Sequence, residues 1–204
     1  MAYIVIVEEL ILDFWMMQMR DSNSKTGFQK SKIISNIILV GFMGTGKSVA
    51  GKRLAEKLHC SFVDMDALIE SRAGKSIARI FTEDGEPQFR STERAMVREL
   101  SGQKSQVIAA GGGVVLNPIN IRNFSRTGLV ICLSADPDEL KRRLSGSTHR
   151  PLLEKGDKSA RILDILKTRQ QLYDAIPHQI DTTDLTVGEV AERIIGMIKN
   201  EFIR

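Results

Sequence analysis

The chain has 204 residues, 42% hydrophobic and 26% charged, the proportions of a soluble globular protein long enough to bury one core. A net charge of +4 and only 5% aromatic residues argue against a nucleic-acid track with base stacking, and arginines in this number suit small anions better. Cys60 and Cys132 stand far apart, each in an apolar run and in no metal-ligand spacing, so they read as buried reduced thiols of a cytoplasmic protein.

Residues 1–32 form an N-terminal extension. Ala2 to Val7 and Leu10 to Met17 are apolar, but Glu8, Glu9 and Asp13 interrupt them and no basic stretch precedes them, so neither a signal peptide nor a membrane span is expected. The polar run Arg20 to Lys32 reads as a linker. The extension itself reads as an added strand or helix, as a patch that mediates association, or as the product of an upstream start codon. The body of the protein is expected to be a monomer.

From Ile33 to the end, residues 33–204, short apolar runs alternate with longer helical periodicity. This predicts a single α/β domain of three layers, with a five-stranded parallel sheet between helices. Strands are expected at Ile37 to Val40, Ser61 to Asp64, Gln106 to Ala110, Gly128 to Leu133 and His178 to Asp181. Helices are expected at Lys47 to His59, Asp66 to Arg72, Glu86 to Leu100, Pro137 to Leu144, Ser159 to Ala175 and Val187 to Phe202. Ligands of such sheets bind beyond the carboxyl ends of the strands, so the residues after each strand are the ones to search for chemistry.

After the first strand stands GFMGTGKS, Gly41 to Ser48, which is G-x-x-x-x-G-K-[ST] in a strand-to-helix context. Gly41, Gly44 and Gly46 permit a tight turn whose N–H groups converge on an anion at a helix N-terminus. Lys47 supplies a point charge for the β- and γ-phosphates, and the Ser48 hydroxyl a ligand for Mg2+. After the second strand, Asp64 is the acid placed to hold that metal, because the third strand ends in Ala-Ala-Gly-Gly-Gly without one. Asp66 reads in two ways, as a base that accepts the proton of a substrate hydroxyl or as a helix cap.

Gly111, Gly112 and Gly113 present bare backbone to a ligand, or form a plain flexible turn. Within Ser76 to Glu93, Phe81, Phe89 and Arg90 make a carboxylate-binding wall, or the two phenylalanines are ordinary core. The loop Ser145 to Lys158 is polar, carries Arg150 at its centre, and reads as a lid over nucleotide at about residues 145–157. Arg169, on the helix that follows, suits a second anion.

Together, GFMGTGKS, FVDMD, SIARIFTEDGEPQFRSTE, GGG, RPLL and RQQLY resemble the shikimate kinase family of phosphate-loop proteins, in its order and roughly at its spacings from about Asn36 to Ile198. The resemblance implies that Gly44, Thr45, Gly46, Lys47, Ser48 and Val49 bind ATP phosphates, with Ser48 and Asp64 at Mg2+. It implies that Asp66 is the base at the shikimate hydroxyl, and that Arg90 and Arg169 grip the shikimate carboxylate. Gly111 to Gly113 would contact the ring, with Phe81 and Phe89 as the pocket wall, in a substrate-binding region of about residues 65–95. Arg150 would reach the phosphates from the lid and Arg143 would lie against adenine. Where many members place an arginine or proline beside the base, Thr182 to Val187 reads TTDLTV.

The expected activity is transfer of the γ-phosphoryl of ATP to the 3-hydroxyl of shikimate, on the route to chorismate and the aromatic amino acids. The expected partners are these two small molecules, with no nucleic acid and no membrane. The rivals are a kinase for another polyol acid such as gluconate, a GTPase switch, which lacks D-x-x-G and N-K-x-D here, and a non-catalytic sensing or assembly module.

Overall fold

A computed structural model describes residues 36–145 and 158–202. The N-terminal extension and most of the expected lid, with Arg150, lie outside the described residues.

Strand β1 (Asn36–Gly41) is buried along its whole length and lies at the centre of a parallel sheet. Around it stand β2 (Ser61–Asp64), β3 (Gln106–Ala109), β4 (Gly128–Ser134) and β5 (His178–Asp181), in the order β2-β3-β1-β4-β5. Successive strand residues point to opposite faces, so a strand covered on both sides reads as an unbroken apolar run. In β1, Ile37 and Leu39 face one helix layer while Ile38 and Val40 face the other. In β4, Leu129, Ile131 and Leu133 join the first set and Val130 and Cys132 the second.

The first layer is α1 (Lys47–Leu58) with the C-terminal α8 (Val187–Phe202), which bury Ala50, Leu54, Ala55 and Leu58 against Val190, Ala191, Ile194 and Ile198. The second layer is built from α2 (Met65–Ala73), α3 (Ile77–Glu83), α4 (Gly85–Ser101), α5 (Pro118–Thr127), α6 (Pro137–Leu144) and α7 (Lys158–Asp174). Its core includes Ile69, Val97, Phe124, Leu140 and Ile162. Complete burial of a side chain such as Leu54 or Ile69 contributes about 1.5–3 kcal/mol.

The predicted strands and the three-layer α/β/α architecture are present, with small shifts at element ends. Strand β3 stops one residue before the expected Ala110, although the Ala110 N–H still donates to the Leu39 carbonyl at 2.9 Å. Two helices were absent from the sequence expectation. Helix α3 is only seven residues long, too short to display a period, and starts where the Ser76 hydroxyl accepts from the Arg79 N–H. Helix α5 begins at Asn117, which accepts from the Ile119 N–H at 3.0 Å, with Pro118 at the first helical position. That asparagine-proline pair is itself a helix-start signal, since the cap needs a side-chain acceptor and the first turn tolerates a missing N–H. Cys132 is buried as expected, but Cys60 is only partly buried. Among the described residues no helix is long and apolar enough to cross a membrane.

Candidate active site

The phosphate loop leaves β1 at Gly41, whose φ is +136°. A Cβ there would stand 2.1 Å from the Leu133 carbonyl oxygen, so only glycine fits. Gly44 (φ +84°) and Gly46 (φ +88°) take left-handed conformations, and Gly46 opens α1 with no side-chain cap bond. The first turn of α1 is therefore free of competing side-chain acceptors, the arrangement that receives an anion at a helix start. Buried Thr45 ties the loop to itself, its hydroxyl donating to the Phe42 carbonyl at 2.8 Å. Lys47 folds back over the turn, its Nζ donating to the carbonyls of Gly41 at 2.9 Å and Phe42 at 2.8 Å.

Ser48 Oγ donates to Asp64 Oδ2 at 2.6 Å. The other carboxylate oxygen of Asp64 accepts from the N–H groups of Asp66 at 3.1 Å and Ala67 at 3.2 Å, so Asp64 is the cap of α2. The capping alternative for Asp66 is thereby corrected: Asp66 sits inside the first turn. Its side chain projects over the glycine loop, where a Cβ on Gly111 would stand 2.5 Å from Asp66 Oδ1. Two residues further, a Cβ on Gly113 would stand 2.2 Å from Arg90 Nη1. Bare backbone at these positions is thus what lets an acid and a guanidinium lie side by side over one loop.

Arg90 is held from two directions. Its Nε and Nη2 donate to Glu86 Oε1 at 3.1 and 3.0 Å, and its Nη1 donates to Glu93 at 3.0 and 3.1 Å. The guanidinium also lies 5.1 Å from the Phe89 ring centre and 5.9 Å from that of Phe81, the two rings being 4.7 Å apart. Phe89, 4% exposed, belongs to the core and also lines the cleft, while Phe81 is partly exposed. Arg169, 9% exposed on α7, donates from Nη1 to the Gly112 carbonyl at 3.3 Å. Asp66, Phe81, Phe89, Arg90, Glu93, Arg169 and the three glycines line one cleft of about 1340 Å³ together with Met43 to Val49 and Asp64. Among the described residues, the structure thus gathers the sequence-predicted site.

At the other end of the cleft stands Arg143. Its edges are taken by protein acceptors: Glu139 at 2.6 Å, the Gly44 carbonyl at 3.4 Å, and the hydroxyl and carbonyl of Thr182 at 3.1 and 2.7 Å. What remains for a ligand is the planar face of the guanidinium. The paired arginines Arg142 and Arg143 hold the Glu139 carboxyl down at about 2. Val49 and Val187 line the same cleft at 56% and 42% exposure, as apolar side chains in reach of a ligand.

Glu93, Tyr173 and Thr182 were missed by the sequence reading. Glu93 is a buried carboxylate whose pKa burial raises and the nearby Arg90 offsets. A signal for it existed, because Glu93 falls on the same helical stripe as Phe89, Met96, Val97 and Leu100, where an acid needs a partner. Thr182 donates from one hydroxyl among the carbonyls of Ser134 at 2.8 Å and Thr45 at 3.2 Å, joining the end of β5 to the phosphate loop. Nothing local in the sequence signals that role.

No group of three or more His, Cys, Asp or Glu among the described residues forms a metal cage. The hydroxyl and carboxylate oxygens of Ser48 and Asp64 fit Mg2+ instead, an ion that keeps several waters and takes its remaining ligands from nucleotide phosphates.

A family model for shikimate kinase matches residues 43–199. The chain belongs to the shikimate kinase family. Among curated members of the family, the shikimate kinase of Pelotomaculum thermopropionicum is 45% identical over 166 residues, which is 81% of this chain and 96% of that one. That of Caldanaerobacter subterraneus subsp. tengcongensis is 46% identical over 162 residues, covering 79% and 95%. Among solved structures, the shikimate kinase of Acinetobacter baumannii in complex with shikimate superposes with a TM-score of 0.80 at 32% identity, over 85% of this chain and 97% of that one. Family membership makes this chain an enzyme, a kinase of the phosphate-loop fold, and sets aside the GTPase and non-catalytic readings.

Proposed function

We propose that the cleft brings ATP and shikimate end to end, so that the γ-phosphoryl passes directly to the 3-hydroxyl and yields shikimate 3-phosphate and ADP. The observation that carries this reading is that the anion-binding loop with Lys47 and Ser48 shares one cleft with Asp66, Arg90 and Arg169. In this assignment, Gly44 to Val49 enclose the phosphates, Arg143 offers its face to the adenine, and Lys47 stabilises charge gathering on the β/γ-bridge as ADP leaves. Arg150, on the segment outside the described residues, is assigned to the γ-phosphate.

At the acceptor end, Arg90 and Arg169 bind the carboxylate and Phe81 and Phe89 shape the wall, so residues 65–95 form the acceptor-binding region. The backbone of Gly111 to Gly113 lies under the ring. Asp66 accepts the proton of the 3-hydroxyl as its oxygen bonds to phosphorus. Ser48 and Asp64 hold Mg2+, which supplies charge neutralisation and alignment of the phosphates when bound. Most of the barrier reduction comes from positioning and electrostatics. The enzyme is assigned to the cytoplasm as a monomer, the first part of the reading being supported by its two free cysteines.

A coupled ADP-release assay tests the reading. Purified protein with Mg2+ and ATP is expected to release ADP rapidly with shikimate, and only at background with gluconate or no acceptor. Equal rates with gluconate, or release independent of acceptor, would reject it.

A further inference from the structure

Three consecutive glycines have no side chains to pack, so their position depends on what holds their backbone. The ends of this loop are tied locally, Val114 N–H to the Gly111 carbonyl at 3.1 Å and Leu116 N–H to the Gly113 carbonyl at 3.0 Å. Its middle is tied from the core beneath it, where the Tyr173 hydroxyl donates to the Gly112 carbonyl at 2.7 Å. Arg169, one helical turn earlier on α7, reaches the same carbonyl at the longer distance of 3.3 Å. The positive charge of Arg169 lies close enough to favour the ionised form of the Tyr173 phenol, against the larger effect of burial. Tyr173 is 4% exposed, and burial pushes its phenol up to about 12, so it stays a neutral donor at any working pH.

We propose that Tyr173 is a positioning residue for the acceptor, fixing Arg169 by sharing the Gly112 carbonyl with it. The inference rests on the functional reading above. With the hydroxyl present, a short O–H bond satisfies the carbonyl and Arg169 needs only a weak contact with it, keeping its remaining N–H groups for the ligand. Without the hydroxyl, the carbonyl has only the long arginine contact left. A buried acceptor in that position draws the guanidinium toward itself and away from the acceptor carboxylate.

The test is steady-state kinetics of Tyr173→Phe, Arg169→Ala and the double variant with Mg2+, ATP and shikimate. Tyr173→Phe is expected to raise the KM for shikimate about tenfold while the KM for ATP stays within about twofold. The double variant is expected to match Arg169→Ala in shikimate KM, since tyrosine acts through the arginine. Partial unfolding would lower the active fraction, hence apparent kcat, and leave both KM values alone, so the split separates positioning from general damage. An unchanged shikimate KM in Tyr173→Phe, or losses that multiply in the double variant, overturns the inference while wild-type turnover stands. Absence of shikimate-dependent turnover in the wild type overturns the functional reading, and this inference with it.

Discussion

Ser48 and Asp64 meet through a 2.6 Å hydrogen bond, and the second oxygen of that same carboxylate caps the helix carrying Asp66. One side chain therefore couples the proposed metal site to the orientation of the proposed base. Asp64→Asn keeps an oxygen for the cap but removes the charge. It is expected to raise the Mg2+ concentration needed for half-maximal rate at least tenfold with little change in melting temperature. Asp64→Ala should add a loss of about 1 kcal/mol in stability, the scale of a lost N-cap. Magnesium titrations and thermal melts of the two variants check this, and equal stability in both would show that the cap carries no weight.

Asp66 stands over Gly111 inside the first helical turn, with Asp64 supplying the cap, and is the proposed base. Replacement by Ala should lower kcat by about 10²–10⁴-fold, the range for a lost general base, with ATP affinity within about twofold of wild type. Near-normal turnover would assign the proton to another group.

The glycine loop offers a contrast within three adjacent positions. A methyl at Gly111 or Gly113 runs into Asp66 or Arg90 at 2.5 and 2.2 Å, whereas at Gly112 its nearest neighbours lie at 3.6 Å. The clashing atoms are side-chain ends, so they shift while the fold survives. Gly111→Ala and Gly113→Ala should weaken shikimate binding or turnover by at least tenfold, and Gly112→Ala by much less. Similar losses at all three positions would point to loop flexibility instead.

Arg169 approaches the cleft nearly buried. Arg169→Ala should raise the KM for shikimate by an amount equivalent to about 1.5–3 kcal/mol, the scale of hydrogen bonds to charged groups. An unchanged KM would remove Arg169 from the acceptor site.

Burial raises the Cys132 thiol from the ordinary 9.0 to about 12 and the Tyr173 phenol from 10.0 to about 12. Both groups hold their protons more tightly in the native state than in the unfolded chain. Their contribution is whole below pH 9 and is lost as pH rises toward 12, at up to about 1.4 kcal/mol per pH unit for each group. Urea midpoints taken between pH 8 and pH 11 should fall, and less steeply in Cys132→Ala. A flat profile over that range would contradict the shifts.

The phosphate loop was legible because each of its requirements is local. Left-handed turns at Gly44 and Gly46, a cation at Lys47 and a hydroxyl at Ser48 are fixed by residue type at fixed spacing. The strands were legible for the same reason, since β1 and β4 are buried on both faces and read as continuous apolar runs. What escaped depends on residues far apart in the chain. The bonds from Tyr173 to Gly112 and from Thr182 to Thr45 span 61 and 137 positions, and no periodicity encodes them. Asp66 lay between these cases: both readings suited its residue type, and only the backbone geometry at Asp64 removed the cap. The short helices α3 and α5 escaped because seven or ten residues give a period too little room, although Asn117 and Pro118 announced the second.

In the strand order β2-β3-β1-β4-β5, the middle strand carries the phosphate turn, the β2 and β3 side carries Asp66 and the triple glycine, and the β4 and β5 side carries Arg143 and Thr182. In the proposed assignment the acceptor draws mainly on the β2 and β3 side and the nucleotide on the β4 and β5 side, with Arg169 reaching across from α7, which leads into β5. Such a plan is modular: one wing is open to remodelling for a different alcohol while the other keeps its grip on the common phosphoryl donor.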